Sequence, residues 1–298
     1  MLSAENIALS GLAWLQTNFD EFCATKPHKV WLDQDRQHLA IAECAIVGLI
    51  AYKLGSPTLT AAGHALLDKI LLCAYPRLLE RTRHETDKTI RVLLVVAGVL
   101  SLTEQAQSDA LCLLQQAFNT GDLAPASLRF DHLQELQFWL SACGLFTHPN
   151  EKDGADWQLQ ELLLHAEGVL NSSDAITAPA IYSLTHGVFY LTHFNLSAIP
   201  PLPPLALSCL LAALDLCSTV ATTAKNIDLL GELLYARWCL GVKPASRTFL
   251  QLCNSAQLAE GAMPTFPHLG LATPKYTVEQ VYHSTITTIL ASIAINRA

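Results

Sequence analysis

Along most of the chain apolar residues recur every three or four positions, and the strict apolar/polar alternation of a half-buried strand is nearly absent. With Pro, Gly and Asn/Asp/Ser clusters as stops, the pattern predicts about twelve helices, over 3–18, 36–53, 59–73, 86–101, 103–118, 129–143, 155–170, 175–194, 204–221, 225–240, 246–259 and 277–295. Asn226, Ser246 and Thr277 have the side chains of helix starts, and Gly55, Gly144 and Gly241 stand where helices stop.

The even-numbered members of this series each carry polar or ionisable residues in an unusually apolar setting: His38 and Glu43, Asp87 and Arg91, His132 and Glu135, Tyr182 and His186, Asp228 and Glu232, Glu279 and His283. Successive anchors fall about 45 to 55 positions apart, the length of a helical hairpin with its loops. The odd-numbered helices read as amphipathic covers, as in Glu161-Leu162-Leu163-Leu164-His165-Ala166-Glu167. Six hairpins, each with one buried and one covering helix, predict a single all-α domain over 1–298 built as an (α/α)6 toroid around a cavity. An α-solenoid with one buried helix per repeat is the alternative.

Composition narrows the setting. A hydrophobic content of 51% with mean hydropathy +0.30 fits helices enclosed by other helices, and no membrane span is expected. Val92 to Leu102 is too short, and Ile199 to Val220 contains Pro200, Pro201, Pro203, Pro204 and Asp215. The first twenty residues lack the basic start of a secretory signal. A net charge of -8 argues against a nucleic-acid surface. Nine cysteines form no Cys-x-x-Cys pair, and Cys44, Cys73, Cys112, Cys209 and Cys239 lie in apolar helical stretches, so a reducing, cytoplasmic location is expected.

The candidate chemistry sits on three even-numbered helices. In Leu184-Thr185-His186-Gly187-Val188-Phe189-Tyr190-Leu191-Thr192-His193-Phe194-Asn195, the two histidines lie about 10 Å apart along a helix, too far to share one metal. Tyr182, His186 and Tyr190 instead form a stripe suited to lining a pocket. Asp228, Glu232 and Tyr235 share a face of an otherwise leucine-rich helix, where two buried acids require a cation, hydrogen bonds or a raised pKa. Pairing with Arg237, Lys225 or Arg91 is the bland alternative. Glu279, His283 and Thr287 share a third face, with Glu279 placed to orient the imidazole. Asp33-Gln34-Asp35 has the spacing of an acidic cyclase motif without its remainder, and Asp35 suits a helix start equally well. Walker, GxGxxG, GxSxG and HExxH motifs are absent.

The segments Thr185-His186-Gly187-Val188-Phe189-Tyr190-Leu191-Thr192-His193-Phe194 and Asn226-Ile227-Asp228-Leu229-Leu230-Gly231-Glu232-Leu233-Leu234 resemble a family of functionally uncharacterised bacterial helical domains. That family carries a Thr-His…Phe-Tyr…Thr-Asp-Phe segment followed by Asn-x-Asp-Leu…Glu-Leu, and many members accompany peptide natural-product genes. The resemblance singles out His186, Asp228 and Glu232, and this chain has His193 where the family pattern has Asp.

These readings combine as a cytoplasmic tailoring enzyme acting on a small molecule or modified peptide. His186, Asp228, Glu232 and His283 form its metal-binding or acid/base cluster, and Tyr182, Tyr190, His38 and Tyr235 contact the substrate. A metal on that quartet would be zinc or iron, given the nitrogen donors. A non-catalytic scaffold that holds a peptide or partner protein is the alternative, and it predicts polar anchors that are dispersed and satisfied locally.

Overall fold

The structure is a computed structural model that describes residues 2–23, 34–83, 87–123, 130–145, 151–172, 175–198, 201–267 and 275–298. Asp33 and the side chains of Asp35 and Asp87 lie outside the described residues. The described chain is helical throughout, with no strand: α1 (Ala4–Thr17), α2 (Phe19–Phe22), α3 (Gln34–Leu54), α4 (Pro57–Lys69), α5 (Tyr75–Thr82), α6 (Asp87–Leu102), α7 (Ser108–Thr120), α8 (Phe130–Ala142), α9 (Glu151–Leu170), α10 (Ala178–Leu191), α11 (Pro204–Thr223), α12 (Ile227–Cys239), α13 (Arg247–Ala256) and α14 (Val278–Arg297). Two short helices, α2 and α5, were not anticipated. A π-helical turn over Ile70–Ala74 carries α4 into α5, because Pro76 has no N–H to give the Leu72 carbonyl and the hydrogen-bond register widens around it.

Local chemistry sets the ends. Asn226 Oδ1 accepts from the Leu229 amide at 3.0 Å, Thr277 and Gln280 form a capping box at the start of α14, and Gly144 and Gly241 take φ of 69° and 78° just past α8 and α12.

The helices that carry the polar anchors contact one another in a closed order: α3 with α6, α6 with α8, α8 with α10, α10 with α12, α12 with α14, and α14 with α3. The rest pack outside this cycle, with α1 and α4 against each other beside α14 and α3, α5 and α7 on α6, α9 on α8 and α10, α11 on α9 and α12, and α13 on α12. Burial follows: every residue from Ile227 to Ala236 in α12 is buried, as is all of α14 from Val281 to Ala294 except His283. Buried apolar residues from both layers form one continuous core.

α12 and α14 approach each other closely. A Cβ on Gly231 would lie 2.7 Å from the Thr287 carbonyl oxygen, so only glycine lets these backbones meet.

Two described helices are long and apolar enough to cross a membrane: Gln37–Leu54 within α3, 61% buried in the core, and α11, 33% buried. The prolines expected to interrupt the second precede it or occupy its first turn, and Asp215 is bonded to Arg237 of α12. Cys44 and Cys239 are buried as expected, whereas Cys112 is exposed and Cys73 and Cys209 are partly buried. None of the nine cysteines is in a disulfide.

Candidate functional site

Asp228 stands in the first turn of α12 with its side chain 7% exposed. The Tyr182 hydroxyl of α10 donates to its Oδ2 at 2.5 Å, and Oδ1 accepts from the Thr287 hydroxyl at 3.0 Å and from His283 Nδ1 at 2.9 Å, both on α14. A carboxylate only accepts, so this contact puts a proton on Nδ1 of His283. Burial opposes the charge on Asp228, but the His283 imidazolium and the donated hydrogen bonds outweigh it and hold the carboxyl below its usual value.

One turn later Glu232, 3% exposed, accepts a hydrogen bond from the Thr185 hydroxyl on Oε2. Its Oε1 lies 3.4 Å from His186 Nε2 and 3.8 Å from His283 Nε2. Glu43 of α3 completes the group, with Oε1 at 3.8 Å from the same His283 nitrogen and Oε2 buried without a hydrogen-bond partner. Four helices of the cycle therefore meet here, and each imidazole is backed by a carboxylate: His283 by Asp228, His186 by Glu232.

The imidazoles stand in front. His186 keeps 38% of its side-chain surface accessible and His283 29%, against 3% and 7% for the two acids behind them. Desolvation disfavours the His283 cation, yet Asp228, Glu43 and Glu232 push its pKa well above 6.5. His186 is also raised, burial being outweighed by Glu232 and then Glu135. Burial raises the Glu43 carboxyl despite the nearby imidazoles, and Tyr182, desolvated and facing acids, keeps its proton.

Tyr190 does not join this cluster. Its hydroxyl donates to Glu135 of α8 at 3.1 Å. Glu135 lines a pocket of about 280 Å³ between α3, α6 and α8 together with His38, Arg91, His132 and Trp139. His38 Nε2 accepts from Arg81 of α5 at 2.8 Å and lies in that pocket, apart from the imidazole–carboxylate pairs.

Three assignments change. Tyr235 is fully buried, and its hydroxyl donates to the Phe194 carbonyl at 2.9 Å, so it anchors the turn after α10 instead of meeting a substrate. His283 is oriented by Asp228 across the α12–α14 contact, not by Glu279 on its own helix. Among the described residues, no group of three or more His, Cys, Asp or Glu is placed to hold a metal ion. Both Asp228 oxygens are filled by O–H and N–H donors, which leaves it orienting an imidazole. Arg237 pairs with Asp215 and not with the buried acids. His193 is exposed, beside Ser197.

Glu43, Thr185 and Thr287 enter the site from its surroundings. Glu43 and Thr287 already stood out as anchor and face-mate in the sequence, while Thr185 had no signal beyond its place in an apolar helix.

An all-α protein whose imidazoles are each seated on a carboxylate from a neighbouring helix is what fold and cluster define. The chain belongs to the family described as a domain of unknown function (DUF6895), whose model matches residues 8–293 and so includes every residue of the cluster. No curated protein and no solved structure matches the chain.

Proposed function

We propose that the closed helix cycle is that of an (α/α)6 toroid and that the protein is an acid/base enzyme acting on a small organic molecule or modified peptide in its interior. The observation that carries this reading is the pair of side-by-side imidazole–carboxylate contacts, His283 on Asp228 and His186 on Glu232, with solvent-accessible imidazoles and covered acids. A scaffold with dispersed anchors has no need of such convergence.

The two pairs serve different ends. His283, locked by Asp228 and pushed well above the usual imidazole range, is a fixed cation that stabilises negative charge growing on a substrate oxygen. His186, held less strongly at Nε2, makes no hydrogen bond through Nδ1 among the described residues and can exchange a proton there, with Glu232 steadying the charged ring. Proton transfer beside a carbonyl, with the charge passing to its oxygen, is the reaction class such a division fits. The resemblance to bacterial domains near peptide natural-product genes supports a biosynthetic, cytoplasmic role. A partner-binding scaffold is the second reading, favoured by the apolar outer face where Leu164 is 63% and Leu205 84% exposed.

The test is Glu232→Gln. NMR titration of labelled histidines should show the His186 pKa falling while that of His283 stays high, and deuterium uptake from D2O into a panel of carbonyl compounds should fall by about 10²- to 10⁴-fold relative to wild type. If wild-type protein catalyses no uptake and His186 titrates the same in both proteins, the enzyme reading is wrong.

A further inference from the structure

The pocket between α3, α6 and α8 differs in character from the imidazole–carboxylate cluster. Its walls are apolar, formed by Leu39, Ala42, Val92, Leu94, Val95, Leu136 and Trp139. Its polar lining is His38, Arg91 and His132, with Glu135 the single acid. Arg91 and His132 are both exposed, and neither makes an ion pair or hydrogen bond among the described residues. Arg81, bonded to His38, adds a further cation behind the lining.

One more observation points to an anion that arrives with an apolar body. Each helix of the cycle places an anchor within its first five residues: His38, Arg91, His132, Tyr182, Asp228 and Glu279. His38, Arg91 and His132 bring the starts of α3, α6 and α8 to the pocket, so the positive ends of those helix dipoles add to the charge of Arg91. Within the pocket, Trp139 is fully buried and its indole N–H has no acceptor in hydrogen-bonding geometry. The Tyr190 hydroxyl lies beside it and, while donating to Glu135, keeps lone pairs that can accept from the indole.

We infer that this pocket binds a small amphipathic carboxylate, its anionic group on Arg91 and its apolar body against Val92, Val95, Leu136 and Trp139. A pocket of about 280 Å³ sits at the lower end of the usual ~300–1,000 Å³ for small-molecule sites, so a medium-length acid fits better than a bulky one. Glu135 joins pocket to cluster, since it lines the first, accepts from Tyr190 and raises His186. The inference rests on the proposed function only in taking the ring interior as the place a reactant enters.

Binding is measured without turnover, so the two ideas fail separately. Calorimetry with decanoate, decan-1-ol and decylamine, each below its aggregation limit, should rank decanoate first. Arg91→Gln should weaken decanoate about tenfold or more, the scale of a lost charge-assisted hydrogen bond, and leave decan-1-ol unchanged. Val95→Phe, which fills the pocket, should abolish both, and the unfolding midpoints of the variants without ligand report whether each is folded. Equal binding of the acid, alcohol and amine, or decanoate affinity indifferent to Arg91→Gln, overturns the inference, as does the absence of decanoate binding to wild type. Retained decanoate binding by folded Val95→Phe overturns the location.

Discussion

The two halves of the helix cycle use the same architecture in opposite ways. Along α10, α12 and α14 the inward side chains are closely bonded: Tyr182, His283 and Thr287 converge on Asp228, and Thr185, His186 and His283 on Glu232. Along α3, α6 and α8, Glu43 aside, they stand apart and leave a pocket with Arg91 and two imidazoles at its lining. Glycine marks the contrast, since the Gly231 backbone meets the Thr287 backbone, whereas Gly98 meets the ring of Trp139, a side chain that borders open space. One half fixes charge and the other keeps room, the two requirements of the proposed acid/base reading.

Removing Asp228 should break the comparison most severely. Asp228→Ala strips the acceptor from three donors and leaves the His283 cation without its closest acid, so a loss of about 3–5 kcal/mol in unfolding free energy is expected by urea titration. A loss under about 1 kcal/mol would mean the network relaxes to water and is not the organising half.

The glycines give the next largest effect. Gly231→Ala should cost about 2–3 kcal/mol, because its new methyl meets a carbonyl oxygen that cannot step aside, and Gly98→Ala about 1 kcal/mol, because Trp139 can shift towards the pocket. Equal costs would show the pocket side to be packed as firmly as the other.

The smallest and most specific effect is in pH. His283, raised on folding, contributes stability in full below its unfolded value of about 6.5 and loses it as pH rises through the folded value. Asp228, lowered on folding, contributes above about 3.9 and loses it as pH falls through its folded value. The pair therefore supports the fold from above the carboxylate range through neutrality, and the support fades in alkali. The stability gap between wild type and His283→Gln should shrink as pH rises above about 6.5 into alkali; a gap that widens would remove the fixed cation from the proposed mechanism.

Much of this was legible in the residues. Polar side chains set at four-residue spacing in apolar helices can survive only if they find one another, and Tyr182, His186, Asp228, Glu232 and His283 did. The repeat spacing returns as the separation between bonded partners, 46 residues for Tyr182 and Asp228 and 55 for Asp228 and His283. Partner choice was not legible. Glu279 has the sequence spacing to orient His283, but the Gly231 contact brings Asp228 closer. Tyr235 shares a helix face with the acids only approximately, and seven residues beyond Asp228 its hydroxyl finds the Phe194 carbonyl instead. Helix α5 was hidden because Pro76 reads as a stop, whereas the π turn lets the helix run past it.

The α14 helix carries a consequence in time. It is the sixth helix of the cycle in chain order, it alone closes that cycle against α3, and it brings His283 and Thr287. A nascent chain emerges from its N-terminal end, so α3 through α12 leave the ribosome with an open seam, and Asp228 waits there without its imidazole while Glu232 already has that of His186. The pocket half, built from earlier helices, can form first. The protein thus acquires room before it completes its charge network, and no partly made copy holds both imidazole–carboxylate pairs.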